Sequence, residues 1–191
     1  MFASEGANVL LVDINLANAE KGAKIISERY PKVKVLATKT DVAKEAEVRA
    51  AVDLAVQEFG RLDVMVRFKY LSSIYGEANF EIRLSLTMLV GFVPICHLLF
   101  SLHLLSGIMH PADDDALNTE ERIWDLTLQI NLKGVWWGCK YAILAMRNNP
   151  TDESKGLHVG GSIINTASFV ALLGAATPQL ACTLVTIHCA A

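Results

Sequence analysis

The sequence predicts an α/β fold, a parallel sheet with flanking helices, on three observations. Short apolar runs rich in β-branched residues recur near the start of the chain. Segments with helical spacing separate them, and turn or cap residues stand at each boundary. Strand, helix, strand, helix, strand at these spacings requires crossover connections and hence parallel pairing.

The first run, "ANVLLVDI", is almost continuously apolar, as expected of a strand covered on both faces, and it ends at Asp13. Asn15 follows as a helix cap, and that helix runs to about Tyr30, where Pro31 prevents its continuation. "VKVLA" (Val33 to Ala37) is the second strand. In the next segment Val48, Val52, Ala55, Val56 and Phe59 line one helical face, and Gly60 stands where a left-handed C-terminal cap belongs. "LDVMV" (Leu62 to Val66) is the third strand. A long helix is predicted over Asn118 to Arg147, capped by Asn118 or Thr119, with Ile123, Leu126, Ile130, Val135, Trp137, Tyr141 and Leu144 on its buried face. "GSIINTA" then supplies a fourth strand.

With 191 residues, 52% of them hydrophobic, and a net charge of -3, the chain is expected to form a single domain, 1–191, without disulfide staples. Its four cysteines, Cys96, Cys139, Cys182 and Cys189, contain no C-x-x-C pair, which points to a reducing compartment; the cytoplasm is the expected location. Seventeen basic residues against twenty acidic ones, with no basic block, exclude a nucleic-acid footprint. The histidines His97, His103 and His110 lack metal-ligand spacing.

The pattern fails between Val66 and Gly107. Residues 67–106 read as an atypical apolar insert, far longer than the usual loop of about 2–6 residues in such folds. Its segment Leu84–Leu105 is 22 residues long, the length of a membrane-spanning helix. Pro94, His97 and His103, together with α/β-type flanks, weigh against insertion in a membrane.

In an open parallel sheet, ligands bind beyond the carboxyl ends of the strands. That rule selects Asp13, Asp41, the residues after Val66, and Asn165 to Ser168. Taken singly, each has a plain structural alternative: Asp13 as a helix cap, Ser168 as a turn residue, Asn131 as a buried amide bonded to backbone or to water. No nucleophile is assembled, since Ser168 is not in a G-x-S-x-G turn and Cys182 and His188 pair only in sequence.

Taken together, "GANVLLVDI", "TDV" (Thr40 to Val42), "FGRLDVMV", "INLKG" (Ile130 to Gly134) and "GSIINTAS" (Gly161 to Ser168) resemble, in order and spacing, the short-chain dehydrogenase/reductase family. The resemblance covers residues 1–66 and 107 to about 181. It implies a Rossmann-like domain, an NAD(P) cofactor, and hydride transfer between that cofactor and a small-molecule alcohol or carbonyl substrate. By position, Asp13 would bind the adenosine ribose and select NAD over NADP, and Asp41 with Val42 would contact the adenine. Asn131 would hold a water of the proton relay, Ser168 would orient the substrate oxygen, and the helix 118–147 would form a homo-oligomer surface.

The departures from the family are equally specific. The family opens with a strand and a T-G-x-x-x-G-x-G turn that cradles the pyrophosphate; this sequence matches from beyond that turn, so the sheet is expected to be incomplete and cofactor binding weak. Residues 67–106 and the tail 182–191 read as foreign to the family, as altered splicing would produce. The family's Y-x-x-x-K falls on Cys182 and Thr186. A thiol is a weak hydrogen-bond donor, and no cation stands one turn on to tune it, so activity is expected to be impaired.

Overall fold

The computed structural model describes residues 2–68, 100–105, 107–165 and 179–182. Among these residues five parallel strands form one sheet in the order β2-β1-β4-β3-β5. They are β1 (Asn8–Asp13), β2 (Val35–Lys39), β3 (Val64–Phe68), β4 (Phe100–Leu105) and β5 (Ser162–Asn165).

The helices follow from local signals. α1 (Leu16–Arg29) starts at Asn15, whose side chain accepts from the Ala17 amide at 3.1 Å. α2 (Glu45–Phe59) stops at Gly60, whose φ of 81° is a left-handed conformation that glycine adopts without strain. α1 covers the face of the sheet that carries Leu11, while α2 packs with a later helix, α4 (Gly134–Met146), on the other. There Leu10, Val12, Val48, Val52, Met65, Trp137, Ala142 and Met146 form the main core. Each fully buried aliphatic side chain contributes about 1.5–3 kcal/mol relative to exposure.

The predicted single helix 118–147 is instead α3 (Glu121–Leu128), a π turn over Gln129–Lys133, and α4. Neither proposed residue caps it. Thr119 Oγ1 donates to the Asp114 carbonyl, Asn118 bonds to Asp115, and Glu120 occupies the cap position. The wider π turn re-phases the helix, so Thr127, Asn131, Gly134, Gly138 and Ala142 face inward while Leu126 and Leu144 are exposed. At the junction Gly134 lies directly against strand-end backbone, where an added Cβ would stand 2.8 Å from the Val42 carbonyl oxygen. Gly134→Ala is therefore expected to lower stability by about 1–3 kcal/mol, as overpacking against an immovable group does; thermal denaturation checks it.

The central slot of the sheet is filled. The passage 67–106 is not wholly an insert beside the sheet, because Arg67 and Phe68 extend β3 and Phe100–Leu105 lies between β1 and β3. Leu102 is in register with Leu10 on one side and Met65 on the other. This strand stands where the family's opening strand was expected to be lacking, and it satisfies backbone groups of β1 and β3 that would otherwise be buried without partners. The physical reason is simple: a short uncharged apolar run serves equally as a membrane segment or as a strand covered on both faces. The last six residues of the run Leu84–Leu105 are strand, so a helix over its whole length does not form. Among the described residues no helix is long and apolar enough to cross a membrane.

Candidate active site

The carboxyl ends of the strands gather Asp13, Lys39, Leu105, Phe68 and Asn165 along one edge of the sheet. Asp13, half-buried, closes β1 and pairs in register with Lys39. Its Oδ1 accepts from the Asn15 amide at 2.7 Å and its carbonyl from the Thr40 amide at 2.9 Å. The carboxylate is thus held upright at the strand end by the same turn that starts α1, where it can accept hydrogen bonds from hydroxyl groups of a ligand over the edge.

The loop after β2 carries Thr40, Asp41 and Val42. Asp41 shapes it, with Oδ1 accepting from the Ala43 amide at 3.0 Å and Oδ2 lying 3.4 Å from Lys44 Nζ. The Asp41 amide donates to Glu47 at 2.7 Å. That bond, and then the Lys44 ammonium, hold the Glu47 carboxyl below the usual carboxylate range, while Glu47 in turn raises Lys44. Val42 is buried in the core, and Gln129 Nε2 donates to the Ala43 carbonyl at 2.9 Å. The loop is therefore fastened to the helix that carries Asn131.

Asn131 is 8% exposed and sits inside the π turn. Its Oδ1 accepts from the Ile108 amide at 2.8 Å and its Nδ2 donates to the Ile108 carbonyl at 2.9 Å. A π turn inside a helix is frequently a functional feature, and here it aims the amide at the chain leaving β4.

Cys182 is buried, and its backbone amide donates to Asp113 Oδ2 at 2.9 Å. Ser168 and Thr186 lie outside the described residues. Sequence reasoning missed Asp113, Ile108, Gln129 and Glu47. Of these, only Glu47 had a local signal, in the first turn of a predicted helix.

The fit of a dinucleotide is uneven. Of the residues expected at the adenosine end, Asp13 closes β1, Asp41 lies in the loop after β2, and Val42 in that loop is buried in the core. In dinucleotide-binding sheets the pyrophosphate rests on a glycine-rich turn and a helix N-terminus after the central strand. Here the central strand is β4, and residues 107–120 after it contain no helix before α3 begins at Glu121. Among the described residues no such cradle follows β4.

Residues 1–68 match the family model described as short chain dehydrogenase. The chain is 31% identical over 177 residues to the short-chain dehydrogenase/reductase aba4 of Botryotinia fuckeliana, an alignment covering 92% of this chain and 50% of that protein. It is 26% identical over 172 residues to levodione reductase of Leifsonia aquatica, covering 90% and 47%. Among solved structures, a short chain dehydrogenase from Mycobacterium smegmatis superposes with a TM-score of 0.66 at 18% identity, covering 97% of this chain and 59% of that one. A 3-ketoacyl-(acyl-carrier-protein) reductase from Brucella melitensis, complexed with NADH, gives 0.64 at 25% identity, covering 98% and 57%. The parallel sheet and its structural likenesses define a Rossmann-like fold. These likenesses support membership of the short-chain dehydrogenase/reductase family of oxidoreductases. The chain spans about half the length of these two curated relatives.

Proposed function

We propose that the chain is a cytoplasmic, NAD-preferring member of its family, of the type that interconverts an alcohol and a carbonyl, and that as it stands it turns over at background rate. The observation that carries the reading is the residue at position 182. Oxidation of an alcohol in this class releases the hydroxyl proton to a side chain, which must lie within hydrogen-bond reach and titrate near the operating pH. Cys182 offers a short thiol in place of a phenol, and Thr186 offers no cation to tune it. Ser168 remains the residue proposed to orient the substrate oxygen, and Asn131 the one proposed to hold a relay water. Asp13 supports NAD over NADP, since a carboxylate that accepts from ribose hydroxyls repels a 2'-phosphate.

Restoring the pair tests this. Cys182→Tyr with Thr186→Lys is expected to raise NAD-dependent oxidation of secondary alcohols by about 10²-fold or more, the usual contribution of a positioned acid-base group. No gain, in a variant that still quenches NADH fluorescence saturably, contradicts the assignment of position 182.

A second reading, a non-catalytic interaction protein, is favoured by the outer face of α3 and α4. Trp136 is 55% and Leu132 42% exposed, and with Leu128 they line an apolar groove flanked by Asp125 and Lys133. On this reading the face pairs with a second copy. Sedimentation then gives a dimer that Trp136→Asp dissociates, and the protein leaves NADH fluorescence unquenched.

A further inference from the structure

We infer that Asp113 is a positioning residue of the proposed reaction centre, and that residues 108–114 act as a strap tying Asn131 to the helical residues 180–182. The inference rests on the reading of position 182 given above.

One end of the strap is Ile108, gripped through both its backbone groups by the Asn131 amide. The other end is Asp113, 1% exposed, whose two carboxylate oxygens accept from successive backbone amides, Ala181 at 3.0 Å and Cys182 at 2.9 Å. The neighbouring Asp114 carbonyl accepts from the Leu180 amide at 3.0 Å. Three consecutive amides, those of the helical residues 180–182, are thus satisfied by a loop remote in sequence. The strap is braced internally: the Asp113 amide donates to the His110 carbonyl at 3.0 Å, and the Asp114 amide to Thr119 Oγ1 at 2.8 Å.

Burying a carboxylate is costly unless its hydrogen bonds are made. Asp113 makes them only when Ala181 and Cys182 are where they now stand, so the carboxylate selects that one placement. The side chain at 182 is set relative to Asn131 by this connection. Asp113 touches no reacting atom and acts through the backbone it holds.

Amide hydrogen exchange on the full chain, resolved residue by residue, tests the strap without relying on activity. Asp113→Ala is expected to raise exchange at Ala181 and Cys182 at least about tenfold, the equivalent of one lost buried bond of roughly 1.4 kcal/mol, while α2 amides keep their rates. Should that variant fail to fold, Asp113→Asn, which keeps one acceptor oxygen, is expected to leave one of the two amides protected. Asn131→Ala is expected to raise exchange at Ile108 and also at Ala181 and Cys182, which a purely local cap would not produce. Unchanged exchange at residues 181 and 182 in the Asp113 variants overturns the clamp, and their indifference to Asn131→Ala overturns the strap. In the Cys182→Tyr, Thr186→Lys protein, Asp113→Asn is expected to lower kcat about tenfold with KM unchanged, and a change in KM alone contradicts positioning. Failure of the restored pair to gain activity bears on position 182 only, since the exchange results stand without it.

Discussion

Leu102→Pro is expected to abolish cooperative unfolding. Leu102 lies midway along β4, with Leu10 in register on one side and Met65 on the other, and both of these neighbours are fully buried. Proline removes a ladder donor and is tolerated in sheets only at edges or bulges. Each backbone group left buried without a partner costs about 1–3 kcal/mol, and the ring adds steric displacement of strands on both sides. Against a total stability of roughly 5–15 kcal/mol, such a loss is close to decisive. Urea denaturation followed by circular dichroism reads it, with Leu102→Val as the variant expected to retain a sharp transition. A Leu102→Pro protein that unfolds like the wild type would show that β4 is not the central strand.

The second large effect lies at the opposite end of β3. Arg61 and Asp63 are 5% and 6% exposed. The guanidinium meets the carboxylate through Nε at 2.9 Å to each oxygen and through a terminal nitrogen at 2.5 Å. Its other donors reach the Pro150 carbonyl at 2.8 Å and the His158 carbonyl at 3.4 Å, so one side chain ties the start of β3 to the loop between α4 and β5. Asn149 closes the same corner, bonding to both backbone groups of Leu62 and to the Gly160 carbonyl. Arg61→Met removes the buried carboxylate's ion-pair partner and is expected to cost about 3–5 kcal/mol. Arg61→Met with Asp63→Leu is expected to recover much of that, because the desolvation penalty of both ions disappears together. Denaturant midpoints of the two variants make the comparison, and equal losses in both would contradict the ion-pair account.

The parts of the fold legible in the sequence were those set by local chemistry. Asn15 capping α1, Gly60 ending α2 and the apolar run of β1 each depend on a few neighbouring residues, and each appears where expected. Boundaries drifted where no cap marks them, as in β2, which runs over Val35–Lys39 rather than Val33 to Ala37. The π turn was not legible. Its register depends on Gly134 approaching the Val42 carbonyl and on Asn131 meeting Ile108, contacts between segments far apart in the chain. β4 was hidden for a related reason: an uncharged apolar run carries no period, and only pairing with β1 and β3 on both sides makes it a strand.

The site divides in the same way. Asp13 and Asn131 stood out because they occur within motifs whose order could be checked. Asp113 did not, being the first of three consecutive aspartates, one of which turns inward while the other two stay exposed. Nothing in that run tells which will be buried, since the answer lies in the amides of residues 181 and 182, nearly seventy positions away.

The most direct measurement is the rate at which the purified chain, at saturating NAD and across a panel of primary and secondary alcohols, produces NADH. With Cys182 and Thr186 in place, the expected result is no rate above that of buffer. Turnover in the ordinary enzymatic range, about 1–10³ s⁻¹, would contradict it and would mean that a proton acceptor other than the side chain at 182 serves this fold.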